Sequence, residues 1–440
     1  MKCKVLLLIG FFLCSFTVTK ALADQEPSSD KYVSRAEYEK LKTDFETLKA
    51  QMNRLLQSQQ SQPQATAPQT AVSQTEQGLE QKIKSLKTEV EEFRPGNRHF
   101  LVSGYAFTSY TDTHNANSVF TAGFNPVFLF QPTEKLLIET ELEESLESGA
   151  TKTSLEVANA SYLLNDYVTL EAGKFLSPFG IFTERLHPKW INKLPNKPLG
   201  YPDGAAQLAP EAQIGAQVRG GVPFLSDTKF NYAFYVSNGP TVQTDAVHAG
   251  ELSFTNTDEN NHNKAIGGRV GFLPIPAVEV GYSFETSRVD TRDAGDVTLR
   301  HNDNIGALLQ GVDFTFKREL DPLQGILDVR AEQIWSSVDS FDYGTGTRAF
   351  KNDRRAHYLQ VAYRPSKIKW WLIRNFEFVL RYDKVNHPSL APTHNDDDRY
   401  TWGLDYWLGP ETVLKTAYLK DDAHGGVNQD SIIVEFVTGF

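Results

Sequence analysis

From His99 to the last residue, apolar and polar side chains alternate with a period of two. Phe230, Tyr232, Phe234 and Val236 alternate with Lys229, Asn231 and Ala233; Phe376, Phe378, Leu380 and Tyr382 alternate with Glu377, Arg381 and Asp383. Successive side chains of a strand point to opposite faces, so this rhythm makes one apolar and one polar face. The segments are about ten residues long, the length of a tilted membrane strand. There are about sixteen of them, at 99–109, 119–130, 134–146, 152–164, 167–175, 211–222, 228–237 and 263–272, then 276–286, 304–316, 324–336, 355–364, 373–384, 399–408, 411–420 and 431–440. A weak segment at 250–257 would add one more.

The connections sort by parity. Those after even-numbered segments are mostly short, such as Gln131-Pro132-Thr133, Asn165-Asp166 and Gly409-Pro410. Those after odd-numbered segments are often long: 176–210, 238–262, 287–303, 337–354 and 385–398. Short turns on one rim and long loops on the other are the pattern of a membrane barrel, and a soluble sandwich has no reason to produce it. Lipid cannot hydrogen-bond to backbone groups, so strands in a bilayer must all pair and leave no edge. The expected fold is all-β: a closed transmembrane antiparallel β-barrel of about sixteen strands, over residues 98–440.

Composition excludes the helical alternative. Hydrophobic residues are 40% of the 440 and mean hydropathy is −0.39. The one long apolar run, Val5 to Val18, is too short to be a stable span. Lys2 and Lys4 precede it and Ala21-Leu22-Ala23 follows, so residues 1–23 read as a cleaved secretory signal. Both cysteines, Cys3 and Cys14, fall in this leader; the bulky Phe12-Leu13 before Cys14 argues against lipid attachment there. The mature chain then offers no disulfide, thiol nucleophile or Cys-ligated zinc. Forty-four basic residues less three leader lysines, against 55 acidic ones, leave a charge of −14, which disfavours nucleic acid as a partner.

Residues 24–97 carry a different period. Tyr38, Leu41, Phe45, Leu48, Met52 and Leu55 recur at heptad spacing behind a Ser34/Glu37 capping box. A Gln-, Pro- and Ser-rich stretch from Gln57 to Gln74 reads as linker. The seam resumes at Leu79, Ile83, Leu86, Val90 and Phe93, and Arg94-Pro95-Gly96 ends it. Such a stripe cannot be buried by one helix, so a short periplasmic α-helical coiled coil is expected, reinforcing self-association or standing near peptidoglycan.

If the apolar face meets lipid, the polar face lines the lumen. It carries Glu139, Glu141, Glu143, Arg219, Lys229, Arg269, Glu279, Asp328, Arg330, Glu332, Glu377, Arg381 and Asp383. Sealing so many charges in a dry core is costly, so the lumen is expected to hold water, and a barrel of about sixteen strands is wide enough for a channel. The connection Leu176 to Pro210 is too long for a turn. It carries Arg185, His187, Lys189, Lys193 and Lys197 against Glu184, is stiffened by Pro178, Pro188, Pro195 and Pro198, and has Trp190 to pin it. Folded into the lumen, it would constrict the opening and attract anions, with Arg219, Arg269, Arg330 and Arg381 as wall partners and the β-strand carboxylates Glu139, Glu141 and Glu143 opposite.

The stretch Ala172-Gly173-Lys174-Phe175-Leu176-Ser177-Pro178-Phe179-Gly180 resembles the strand-to-loop junction of the phosphate-selective porin O/P-like superfamily. A coiled coil before such a barrel is similar to the trimeric dicarboxylate-type porins of that broader group. The final strand, with Ile432, Val434, Phe436, Thr438 and Phe440 on one face, resembles the terminal signal of outer-membrane proteins. The resemblance implies an outer-membrane homotrimer among lipid and lipopolysaccharide, a lumen-folded third loop, and a preference for phosphate or small carboxylates. The mixed signs of the lumen row favour a less selective pore. His387, His394 and Asp396-Asp397-Asp398 match no metal-site spacing, no nucleophile–base pair stands out, and no cofactor is expected. The expected function is passive diffusion of small hydrophilic solutes with no chemical step; the rivals are an adhesive, envelope-anchoring barrel that displays its loops, and a barrel enzyme.

Overall fold

The computed structural model describes residues 99–440 except 148, 202–206, 225, 256, 258–260, 292–303, 344–348, 393–395 and 424–428. The expected leader, linker and coiled coil lie outside the described residues.

Eighteen strands follow in chain order. The first half holds β1 (His99–Thr113), β2 (Val119–Thr133), β3 (Leu136–Glu147), β4 (Ala150–Asn165), β5 (Val168–Leu176), β6 (Ala212–Pro223), β7 (Lys229–Ser237), β8 (Thr241–Val242) and β9 (Leu252–Ser253). The second holds β10 (Ala265–Ile275), β11 (Val278–Val289), β12 (Ile305–Leu320), β13 (Gly325–Phe341), β14 (Phe350–Arg364), β15 (Phe376–Asn386), β16 (Asp397–Trp407), β17 (Thr412–Ala423) and β18 (Ser431–Gly439). All but β8 and β9 close into one antiparallel barrel in which each strand pairs with its sequence neighbour, β7 joins β10, and β1 meets β18. The expected sixteen strands are therefore present. The weak segment at 250–257 adds none: Leu252–Ser253 pairs only with Thr241–Val242, inside the connection between β7 and β10.

The seam that removes the last edge runs from Tyr105↔Gly439 to Thr113↔Ser431. Phe440 completes it: Gly104 and Phe440 exchange backbone hydrogen bonds of 3.2 and 3.0 Å, and the Phe440 ring stacks on Phe124 at 5.4 Å. Gly173, within the Ala172–Gly180 stretch, has φ of 126°, and a Cβ there would lie 2.2 Å from the carbonyl oxygen of Ala158 on the paired strand. Only glycine lets those two strands approach so closely.

Burial along the strands is inverted relative to a soluble protein. On β15, Phe378 and Leu380 are 52% and 54% exposed, while Arg381 and Asp383 just beyond them are 2% and 0% exposed. On β16, Tyr400, Trp402 and Leu404 face outward around the buried Thr401, with Asp405 also buried. Outward aromatics touch across strands, as in Tyr382–Tyr400 (4.8 Å) and Trp402–Tyr418 (5.8 Å). Water does not cover an apolar belt of this extent without cost; a bilayer does.

Candidate functional site

The connection 177–211 folds into the barrel, not outward. It leaves β5 at Ser177, whose N–H bonds the Glu211 carbonyl at 2.9 Å, so both ends of the loop are tied together at the wall. Gly180 then turns with φ of 70°, and a Cβ there would stand 2.1 Å from Glu332 Oε2. The missing side chain is what lets the turn seat on that carboxylate. Glu332, on the inner face of β13, accepts hydrogen bonds from the Ile181 N–H (3.2 Å), Tyr201 (2.8 Å) and Tyr358 (2.6 Å). Burial, and next the Glu332 charge, push the Tyr201 hydroxyl well above its ordinary range, so it remains a donor.

A short helix, α1 (Phe182–Leu186), follows and buries Phe182 and Leu186. With Phe179, Ile181, Leu199, Tyr201 and Leu208 they meet inward side chains of β12 to β15, among them Leu309, Ile334, Val338, Tyr358 and Val385. The connection between β7 and β10 joins the same cluster through Val242, Ala249, Leu252 and Phe254. Part of the lumen is thus a dry apolar core, which corrects the expectation of a lumen wet throughout. Sequence reading missed it because Leu309 or Ile334 on a polar face looks like an exception to the alternation, whereas each marks where the wall meets a loop.

Each cation assigned to the constriction has a carboxylate. Arg185 pairs with Glu279 at 2.9 Å, Lys189 with Glu435 at 2.7 Å, and Lys197 with Glu211 at 3.1 Å. Lys193 bonds Glu377 and lies 3.8 Å from Asp328. His187 Nδ1 donates to the Thr183 carbonyl at 2.6 Å, within the loop. Trp190 packs against the patch formed by Tyr105, Phe107, Val413 and Val437, so it does pin the loop to the wall, and Lys189 lies over the Phe107 ring at 4.4 Å. The buried Lys415 of β17 donates to the Lys189 and Asn192 carbonyls, a wall cation that sequence reading passed over.

The wall arginines are likewise engaged. Arg269 bonds Asp313 at 2.6 and 2.9 Å and Glu279 at 2.9 Å. Arg330 makes a two-pronged pair with Asp328, at 2.7 and 2.8 Å. Arg381 pairs with Asp383 at 3.0 Å and donates to the carbonyls of Asn196 and Lys197. Arg219 bridges Glu184 of the loop at 2.6 Å and Glu171 at 3.8 Å. Burying a charge is costly unless it is paired and hydrogen-bonded, so folding itself consumes these cations. Those that reach loop residues staple the loop, and among the described residues these eight cations do not form an array of free positive charge.

Two cavities flank the loop. One of about 550 Å³ opens toward the long connections and is lined by Lys189, Lys197, Glu143, Glu156, Glu211, Asp397, Asp398, Arg399 and Asp421. The other, about 590 Å³, opens toward the short turns and is lined by Glu134, Lys135, Glu139, Glu171, Glu184, Arg185, Arg219 and Arg269. The β3 carboxylates run between them: Glu139 lines one cavity, Glu143 the other, and Glu141 sits midway on the same inward face. A bulge opposite Glu141–Leu142 turns Glu156 of β4 toward the lumen as well.

His387 Nδ1 accepts from Arg354 at 2.7 Å and its Nε2 is 3.8 Å from Asp397; His394 lies outside the described residues. Among the described residues no group of three or more His, Cys, Asp or Glu side chains is arranged to hold a metal ion.

No family model matches the chain, and no curated protein matches its sequence. Solved structures do. The anion-selective porin of Comamonas acidovorans is 12% identical with a TM-score of 0.51, over 78% of this chain and all of that one. OmpF of Salmonella typhi, solved with daunomycin, is 11% identical with a TM-score of 0.50, over 78% and 98%. A loop-deleted OmpT, an outer membrane protein of Vibrio cholerae, matches at 10% identity and a TM-score of 0.48, over 77% and 99%. At these identities the likeness is one of fold. The expectation that no chemical step takes place is therefore withdrawn, because a likeness of fold does not settle activity.

Proposed function

We propose that the protein is an outer-membrane porin through which small hydrophilic solutes diffuse passively. The observation that carries this reading is a closed barrel, apolar outside and ionised inside, with polar cavities on both sides of a loop folded into its lumen. An inward loop that narrows a barrel of this strand number leaves a selective passage, whereas a structural anchor needs none. The likeness in fold to a barrel titled an anion-selective porin supports the same reading.

The constriction is the 177–211 loop together with the β3 wall. Anion preference through Arg185, Lys189, Lys193 and Lys197 draws little support from the geometry, because each is held by a carboxylate. Export with removal of 1–23 and assembly as a homotrimer among lipopolysaccharide complete the reading, the heptad stripes being its support in the sequence.

The test is conductance. Purified protein added to a planar lipid bilayer should insert in uniform current steps, and liposomes containing it should swell in small sugars. Protein that folds in detergent and inserts without passing current would overturn the channel reading.

A further inference from the structure

We infer that solutes pass between the two cavities along the β3 carboxylate row and that Glu141 sets a preference for cations; this deepens the channel reading and rests on it. On the loop side of the passage, fixed positive charge is spent on ion pairs with the wall. On the β3 side the balance is different. Glu139 and Glu143 are four residues apart, roughly 14 Å along a strand, and line opposite cavities, so any route between the cavities on this side passes Glu141.

Glu141 is only 6% exposed, and its carboxylate has no hydrogen-bond or ion-pair partner among the described residues. The charges that bear on it most strongly are all of its own sign: Glu156, Glu139, Glu143 and Glu211. A buried, unpaired carboxylate surrounded by others, midway between two polar cavities, is relieved by taking up a proton or a mobile cation that enters from solvent. A cation taken up in this way concentrates cations and excludes anions along this stretch of the wall. The carboxylates that pair with Lys189, Lys193 and Arg185 serve a different purpose, since those pairs hold the loop.

Reversal potentials of the full chain in a KCl gradient test this. The wild type is expected to favour potassium over chloride by at least about threefold, the effect of one unit charge roughly 6 Å away in water. Glu141→Gln should move the ratio toward unity, and Glu141→Lys should reverse its sign. Spermidine, a trivalent amine, should block wild-type current and leave Glu141→Lys current largely unblocked. If Glu141→Lys does not fold, the pair Glu139→Gln/Glu156→Gln should still lower the ratio. A chloride-selective wild type, or variants that conduct with wild-type selectivity, would overturn the inference while sparing the channel. A folded wild type that passes no current in either salt would instead overturn the channel reading, and this assignment with it.

Discussion

The arginines of the inner wall show what single residues can and cannot reveal. Arg330 and Arg381 each pair with a carboxylate two positions away on the same strand, Asp328 and Asp383. A period of two places i and i+2 on one face, so these pairs were legible in the sequence as Asp-x-Arg and Arg-x-Asp. Lys189–Glu435 and Lys193–Glu377 were not, because residues 246 and 184 positions apart meet only once the barrel has closed and the loop has entered it. Two predictions belong at this scale. Glu332→Ala removes the acceptor shared by Ile181, Tyr201 and Tyr358, and should cost about 3 kcal/mol, read as a lower unfolding temperature in detergent. Gly180→Val combines a positive φ with a clash on Glu332, so the loop should leave its seat and single-channel current should become larger and noisier.

At the scale of elements, the strands and the loop are stabilised by different means. The strands need only pairing partners and a lipid-facing apolar row, both readable from alternation; the expected bounds and the observed ones agree within a few residues along most of the barrel. The loop depends on surfaces that alternation does not describe. Its apolar residues, Phe179, Ile181, Phe182 and Leu186, are buried against inward-facing Leu309 and Ile334. The second inward connection, with β8 and β9, escaped reading because Leu252 and Phe254 resemble a broken strand until their partners are known. Replacing 181–207 by a short Gly-Ser linker should empty the middle of the lumen. Conductance is then expected to rise several-fold in planar bilayers and charge selectivity to fall. Unchanged conductance would mean the loop does not narrow the path.

At the scale of the whole molecule, stability depends on closure. β18 hydrogen-bonds both β17 and β1, and Phe440 ties the seam through Gly104 and Phe124. Deleting 431–440 leaves two long unpaired edges, which a bilayer cannot tolerate. The truncated chain should yield no protease-resistant barrel in detergent, while the intact chain should. The sequence by itself determined the barrel, its strand number and which face meets lipid, since those follow from a local repeat, from the parity of loop lengths and from the absence of backbone partners in lipid. Only the tertiary structure decided how the lumen is divided and which charges remain to act on a solute. Charge neutralisation and dry packing depend on distance in space, and in a closed barrel that distance bears no relation to separation along the chain.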